Sequence, residues 1–83
     1  MHYIYILQSE STDRFYIGST SSLENRLIAH NHPQNKGYTK RFQPWRIVYS
    51  EEFETKTEAL IRERKLKSMK SRDAIIRLIN RAE

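Results

Sequence analysis

Five side chains in this sequence pair reactive types with spacings that could bring them together: Tyr5, Tyr16, Arg26, His30 and Glu63. Glu63 is the anomaly. At about 100° per residue, Ala59, Leu60 and Leu66 define the apolar stripe of a helix, and Glu63 falls inside that stripe, which turns a carboxylate toward the core. Burying an unpaired charge is costly, so the position demands an ion pair with a neighbouring arginine, a set of hydrogen bonds or a metal ion. A lone carboxylate is a poor calcium site but suits magnesium, which keeps most of its waters. Arg26 and His30 stand four residues apart and share one flank of a predicted helix, as a packed surface pair or as part of a site. Tyr5 and Tyr16 lie on two aromatic runs, and a turn centred near Glu10 and Ser11 would set the two phenols opposite one another.

These residues need elements to position them. Tyr3-Ile4-Tyr5-Ile6-Leu7 and Arg14-Phe15-Tyr16-Ile17-Gly18-Ser19-Thr20 read as a β-hairpin across the polar stretch Gln8 to Asp13. In the first run Tyr3, Tyr5 and Leu7 alternate with Ile4 and Ile6, so both faces are apolar and the sheet is expected to be covered by helices on both sides. Ser21 or Ser22 can cap a helix from Leu23 to about Asn31, with Leu23, Leu27 and Ile28 as its stripe and Pro33 as its stop. His32 to Pro44 reads as a long polar loop carrying Lys36, Tyr38, Lys40 and Arg41. Trp45 to Ser50, extending toward Phe53, is a third strand. Thr55 or Thr57 caps a helix through about Met69, and Ser71 caps a last one that packs through Ala74, Ile75, Leu78 and Ile79. The expected fold is one α+β domain over residues 1–83, a three-stranded antiparallel sheet flanked by helices in the order β-β-α-β-α-α.

The 83 residues contain no cysteine, so disulfides and thiolate zinc sites are excluded. The apolar run near the amino terminus is too short for a signal peptide or a membrane span, and a soluble cytoplasmic protein is expected. Charge is unevenly placed. Of fifteen Lys and Arg, nine lie between Lys56 and Arg81, against three acids there, and a basic surface of this kind attracts polyanions, nucleic acid above all. Lys36, Lys40, Arg41, Arg62, Lys65, Lys67, Lys70 and Arg72 are the candidate phosphate-tracking cations. The plainer reading of the same charges is a solvated helix exterior.

Tyr3-Ile4-Tyr5 and Tyr16-Ile17-Gly18, followed by Arg26 and His30 on a helix, Pro44-Trp45 before the third strand and the Ala59…Arg62-Glu63…Leu66-Lys67 pattern, together resemble the GIY-YIG nuclease superfamily. The similarity runs along the whole chain and is closest to small bacterial members akin to the amino-terminal domain of the excision-repair endonuclease. Tyr3 stands where the first motif has its glycine. The resemblance implies a three-stranded antiparallel sheet flanked by helices. It implies that Tyr5 and Tyr16 are the motif tyrosines, Arg26 the phosphate-binding arginine, His30 the nearby histidine and Glu63 the sole carboxylate ligand of one Mg2+ or Mn2+ ion. The implied reaction is hydrolysis of DNA phosphodiesters, on branched, nicked or single-stranded DNA in repair or recombination, with RNA also a possible substrate. Either Tyr5 or His30 could take the proton of the attacking water. Many nucleases of the family carry a further polar residue on the last helix; here Asn80 falls late in the chain for that role and Asp73 has the wrong charge, and Ser71 or Arg72 could stand in. The alternative is a nucleic-acid-binding module, or a subunit of a larger repair assembly, that keeps the fold without turnover, in which Glu63 is paired with a basic side chain.

Overall fold

The computed structural model describes residues 1–69 and 71–81. In chain order it contains β1 (His2–Ser9), β2 (Phe15–Thr20), α1 (Leu23–Asn31), a single 3-10 segment (Tyr38–Phe42), β3 (Trp45–Phe53), α2 (Lys56–Ser68) and α3 (Arg72–Arg81). The strands form one antiparallel sheet in the order β2-β1-β3, the expected architecture. Helix starts follow from short hydroxyl side chains that satisfy otherwise unpaired backbone N–H groups. Ser22 accepts from the amide of Asn25, Thr55 from that of Glu58 and Ser71 from that of Ala74. The hairpin turn places Asp13 at φ 65°, a left-handed conformation that aspartate tolerates better than most residues.

Central strand β1 is buried on both faces, with Ile4, Tyr5, Ile6 and Leu7 all at 3% exposure or less. Ile4 packs with Ala59 and Leu66 of α2, and Leu78 of α3 joins them. Tyr5 and Leu7 pack on the opposite face with Trp45, under Leu23 and Leu27 of α1. Strand β3 serves both layers because of a bulge. Ile6 pairs with Tyr49 but Leu7 pairs with Ile47, which leaves Val48 as the extra residue. Trp45 and Ile47 therefore face α1, whereas Tyr49 and Phe53 face α2.

Four expectations are corrected. The hairpin register pairs Tyr5 with Gly18 and Leu7 with Tyr16, so the two tyrosines are diagonal neighbours on one face rather than direct partners. The turn lies further along the chain than Glu10 and Ser11, and Ser9 N–H closes it onto the Arg14 carbonyl. Ile28 and Leu60 are exposed, at 57% and 41%. Each lies one residue, about 100° of rotation, past the seam its helix actually uses, which is Leu23–Leu27 in α1 and Ala59–Leu66 in α2. The stretch 32–44 is also not wholly irregular, since it folds into the 3-10 segment and presents Thr39 to the interior.

Candidate active site

Tyr5 rises from the middle of β1, opposite a residue with no side chain. A Cβ on Gly18 would fall on the Tyr5 hydroxyl, so glycine here is what leaves room for it. The freed hydroxyl lies 3.0 Å from Nε2 of His30, and this bond is buried. Tyr16 completes the cluster, its ring 4.9 Å from the imidazole and 6.4 Å from the Tyr5 ring. His30 reaches inward from the last turn of α1 and is 9% exposed. Its other ring nitrogen, Nδ1, is 2.9 Å from Oγ1 of Thr39. The backbone around it is held too. The side-chain amide of Gln43 donates to the His30 carbonyl at 2.7 Å, and Asn31 exchanges two bonds with the backbone of Trp45.

The electrostatics of the pair follow from burial. Desolvation, reinforced by the neighbouring Tyr16, pushes the Tyr5 phenol well above its ordinary range; the Arg26 charge opposes this and the Glu63 charge adds to it. Burial, followed by the Arg26 charge, lowers the pKa of His30. At neutral pH the site therefore holds a protonated tyrosine beside a neutral histidine. Arg26 is exposed and shares with Tyr16, His30 and Thr39 the wall of a cleft of about 220 Å³.

Glu63 approaches from the other layer. Its side chain is 17% exposed, and one oxygen is 2.8 Å from Nζ of Lys67, four residues on in the same helix. Burial tends to raise its pKa, but hydrogen bonds from Lys67 and Ser19 outweigh this and hold it below the usual carboxylate value. Of the alternatives for Glu63, the ion pair is the one formed here, with a lysine that is 53% exposed in place of an arginine. Such helical i,i+4 pairs contribute only about 0.2–0.5 kcal/mol, so this one yields readily to a stronger cation. Glu63 lines a second hollow, with Leu60, Arg64 and Lys67, distinct from the Arg26 cleft. Among the described residues no group of three or more His, Cys, Asp or Glu could hold a metal. A lone, largely buried carboxylate fits a magnesium or manganese ion that keeps most of its waters, and does not fit calcium or zinc.

The candidate phosphate-tracking cations separate into two sets. Lys36, Lys40, Arg41, Lys65 and Lys67 are exposed. Arg62 instead makes a two-pronged ion pair with Glu51, at 2.8 and 3.0 Å, and Tyr49 donates to the same carboxylate. Arg72 is spent on the hairpin, donating to the Asp13 carbonyl at 2.8 Å and stacking on Phe15. Phe15 points to the face of the sheet away from Tyr16, so Arg72 sits away from the tyrosine cluster. Lys70 lies outside the described residues. Sequence reading missed Thr39 and Asn35, which the 3-10 segment and the turn before it bring against His30. Small polar residues in a polar stretch carry no periodic signal that could have marked them.

Among the described residues no helix is long and apolar enough to cross a membrane. The GIY-YIG catalytic domain family matches residues 1–75. A UPF0213 protein of Staphylococcus saprophyticus is 42% identical over 95% of this chain and 94% of its own, and one of Clostridium perfringens is 39% identical over 96% and 84%. The solution NMR structure of a UPF0213 protein from Bacillus halodurans is similar with a TM-score of 0.60 and 30% identity, covering 95% of this chain and 82% of that one. The designations of these relatives state no activity.

Proposed function

This chain belongs to the GIY-YIG family, and from that premise we propose that it is a metal-dependent endonuclease hydrolysing DNA phosphodiester bonds. The observation that carries the reading is the buried Tyr5–His30 hydrogen bond beside the cleft walled by Arg26. Arg26 binds the scissile phosphate and counters the charge that gathers on its non-bridging oxygens in the transition state. Tyr5 and His30 act as one base. A phenol held protonated is a poor base by itself, and the hydrogen bond supplies what it lacks. As Tyr5 takes a proton from the attacking water on its oxygen, its own proton passes to Nε2 of the neutral His30. The water oxygen bonds to phosphorus, the bond from phosphorus to the leaving oxygen breaks, and the leaving oxygen takes a proton from solvent. Tyr16 orients water or phosphate through its hydroxyl. Glu63, whose charge is felt at Tyr5, would hold one magnesium or manganese ion, which would supply Lewis-acid charge to the leaving group. Lys65 and Lys67 contribute to DNA affinity, in competition with salt. Branched, nicked or single-stranded DNA, as met in repair and recombination, is the proposed substrate class.

The Glu63–Lys67 ion pair favours a second reading, a DNA-binding module without turnover. One experiment separates the two: cleavage of labelled single-stranded, nicked, flapped and branched DNAs with magnesium or manganese by the natural protein and by Glu63→Gln. Metal-dependent cutting lost in the variant supports the nuclease. Equal DNA binding by both proteins with no cutting by either supports the binding module.

A further inference from the structure

We infer that Thr39, held by Asn35, is a positioning residue that fixes the tautomer of His30 with its proton on Nδ1, leaving Nε2 bare to receive the proton of Tyr5. The inference deepens the nuclease reading and, for its catalytic consequence, rests on it. It comes from accounting for each proton in the chain Asn35–Thr39–His30–Tyr5. The backbone N–H of Gly37 donates to Oδ1 of Asn35 at 2.8 Å, which fixes the orientation of that amide. Its Nδ2 must then be the donor to Thr39 Oγ1, at 2.8 Å, and to the His30 carbonyl, at 3.2 Å. Thr39 itself is anchored through its carbonyl, which accepts from the indole Nε1 of Trp45 at 2.7 Å.

Two arrangements of the remaining protons are chemically possible. If Thr39 donated to Nδ1, then Nε2–H would donate to Tyr5, and the Tyr5 proton would need another acceptor. Tyr5 is 3% exposed, and among the described residues His30 Nε2 is its hydroxyl's one side-chain partner. A buried hydroxyl proton without an acceptor is destabilising in the resting protein, and once DNA brings the attacking water within reach that proton would face the water with the wrong polarity for a base. In the other arrangement every group is satisfied. Tyr5 donates to Nε2, Nδ1–H donates to Thr39, and Thr39 accepts from His30 and Asn35 on its two lone pairs. Thr39 is itself only 4% exposed, but unlike Tyr5 it lines the cleft with Arg26 and Tyr16, and its proton is directed there. Only this second arrangement leaves a Tyr5 lone pair, rather than its proton, for the attacking water. Thr39 thus does for His30 what a buried carboxylate does for the histidine of a catalytic triad, without adding a charge.

The test reads the tautomer directly and needs no turnover. In the natural protein labelled with 15N-histidine, long-range proton–nitrogen correlation spectra at neutral pH should show His30 protonated at Nδ1 and bare at Nε2. Thr39→Val removes the acceptor while keeping the shape. It should move the proton to Nε2 and lower kcat on a cleavable oligonucleotide about 10- to 100-fold with KM unchanged. Thr39→Ser should restore both the spectrum and the rate. A proton on Nε2 in the natural protein overturns the inference, as does a Thr39→Val protein that folds, keeps its Nδ1 proton and cuts at the natural rate. Should Thr39→Val fail to fold, the natural protein and Thr39→Ser still decide the tautomer. An Nδ1 proton in a natural protein that cuts no DNA sustains the tautomer assignment and defeats the nuclease reading instead.

Discussion

On the α1 side of the sheet, Tyr5 and His30 are buried and hydrogen-bonded in a chain that ends on the 3-10 segment, whereas on the α2 side Glu63 is held by one half-exposed lysine. Among the described residues no buried side-chain nitrogen or oxygen lacks a partner, so the α1 side is complete as it stands. The α2 side is loosely closed. The contrast matches the two kinds of work proposed for these residues. A proton relay needs its donors and acceptors fixed in advance, while a metal ligand has to release one cation to take another.

That contrast predicts which changes cost stability and which cost only function. Gly18→Ala should have the largest effect. The added methyl displaces the Tyr5 hydroxyl from His30, so cleavage should fall below detection and urea unfolding should show a loss of about 1–3 kcal/mol. A variant of natural stability and activity would mean that Tyr5 is free to move, and would erase the difference between the two sides. His30→Gln comes next and is read through pH. Burial and then Arg26 keep the folded imidazole neutral below its ordinary pKa, so on acidification the unfolded chain binds the proton first. The stabilisation is complete above about pH 6.5 and is lost as pH falls from there through the folded value. Urea midpoints should therefore decline more steeply from pH 7 to 5 in the natural protein than in the variant. Parallel declines would place the imidazole in solvent.

Glu63→Gln tests the loose side. Its pKa is lowered in the folded protein, so its own contribution is present above about pH 4.5 and is lost only below that. At pH 7 the variant should unfold within about 0.5 kcal/mol of the natural protein while losing its amide NMR response to magnesium. A larger loss of stability would make Glu63 a structural residue. Lys67→Ala should be the mildest, costing about 0.2–0.5 kcal/mol and leaving the magnesium requirement equal or lower, since the competing cation is gone. A raised requirement would show that Lys67 assists the site rather than blocking it.

Much of this was legible in the chain. Alternation along Tyr3 to Leu7 marked a strand covered on both faces, and capping chemistry announced three helices, with the structure choosing Ser22 over Ser21 and Thr55 over Thr57 and keeping Ser71. Glu63 stood out because a carboxylate in an apolar stripe breaks a strong pattern. The fate of individual cations could not be read, because Arg62 and Arg72 are distinguished from Lys65 only by what tertiary folding sets beside them: Glu51 in one case, the Asp13 carbonyl and Phe15 in the other. Thr39 and Asn35 were silent for a different reason. Their role comes from where an irregular segment crosses α1, and no local spacing encodes that crossing.

The bulge at Val48 carries a consequence for how this fold tolerates change in length. Trp45, Ile47, Tyr49 and Phe53 are all odd-numbered and would share one face of a regular strand, yet they divide between the two layers because Val48 takes up half a pleat. Deleting Val48 would leave Ile47 opposite Leu7 and Tyr49 opposite Ile6, with each side chain still in its own layer. Deleting a neighbour on either flank would instead require the bulge to absorb the slip. Position 48 is thus an expansion joint, where the sheet can lose a residue without exchanging what lies beneath α1 for what lies beneath α2.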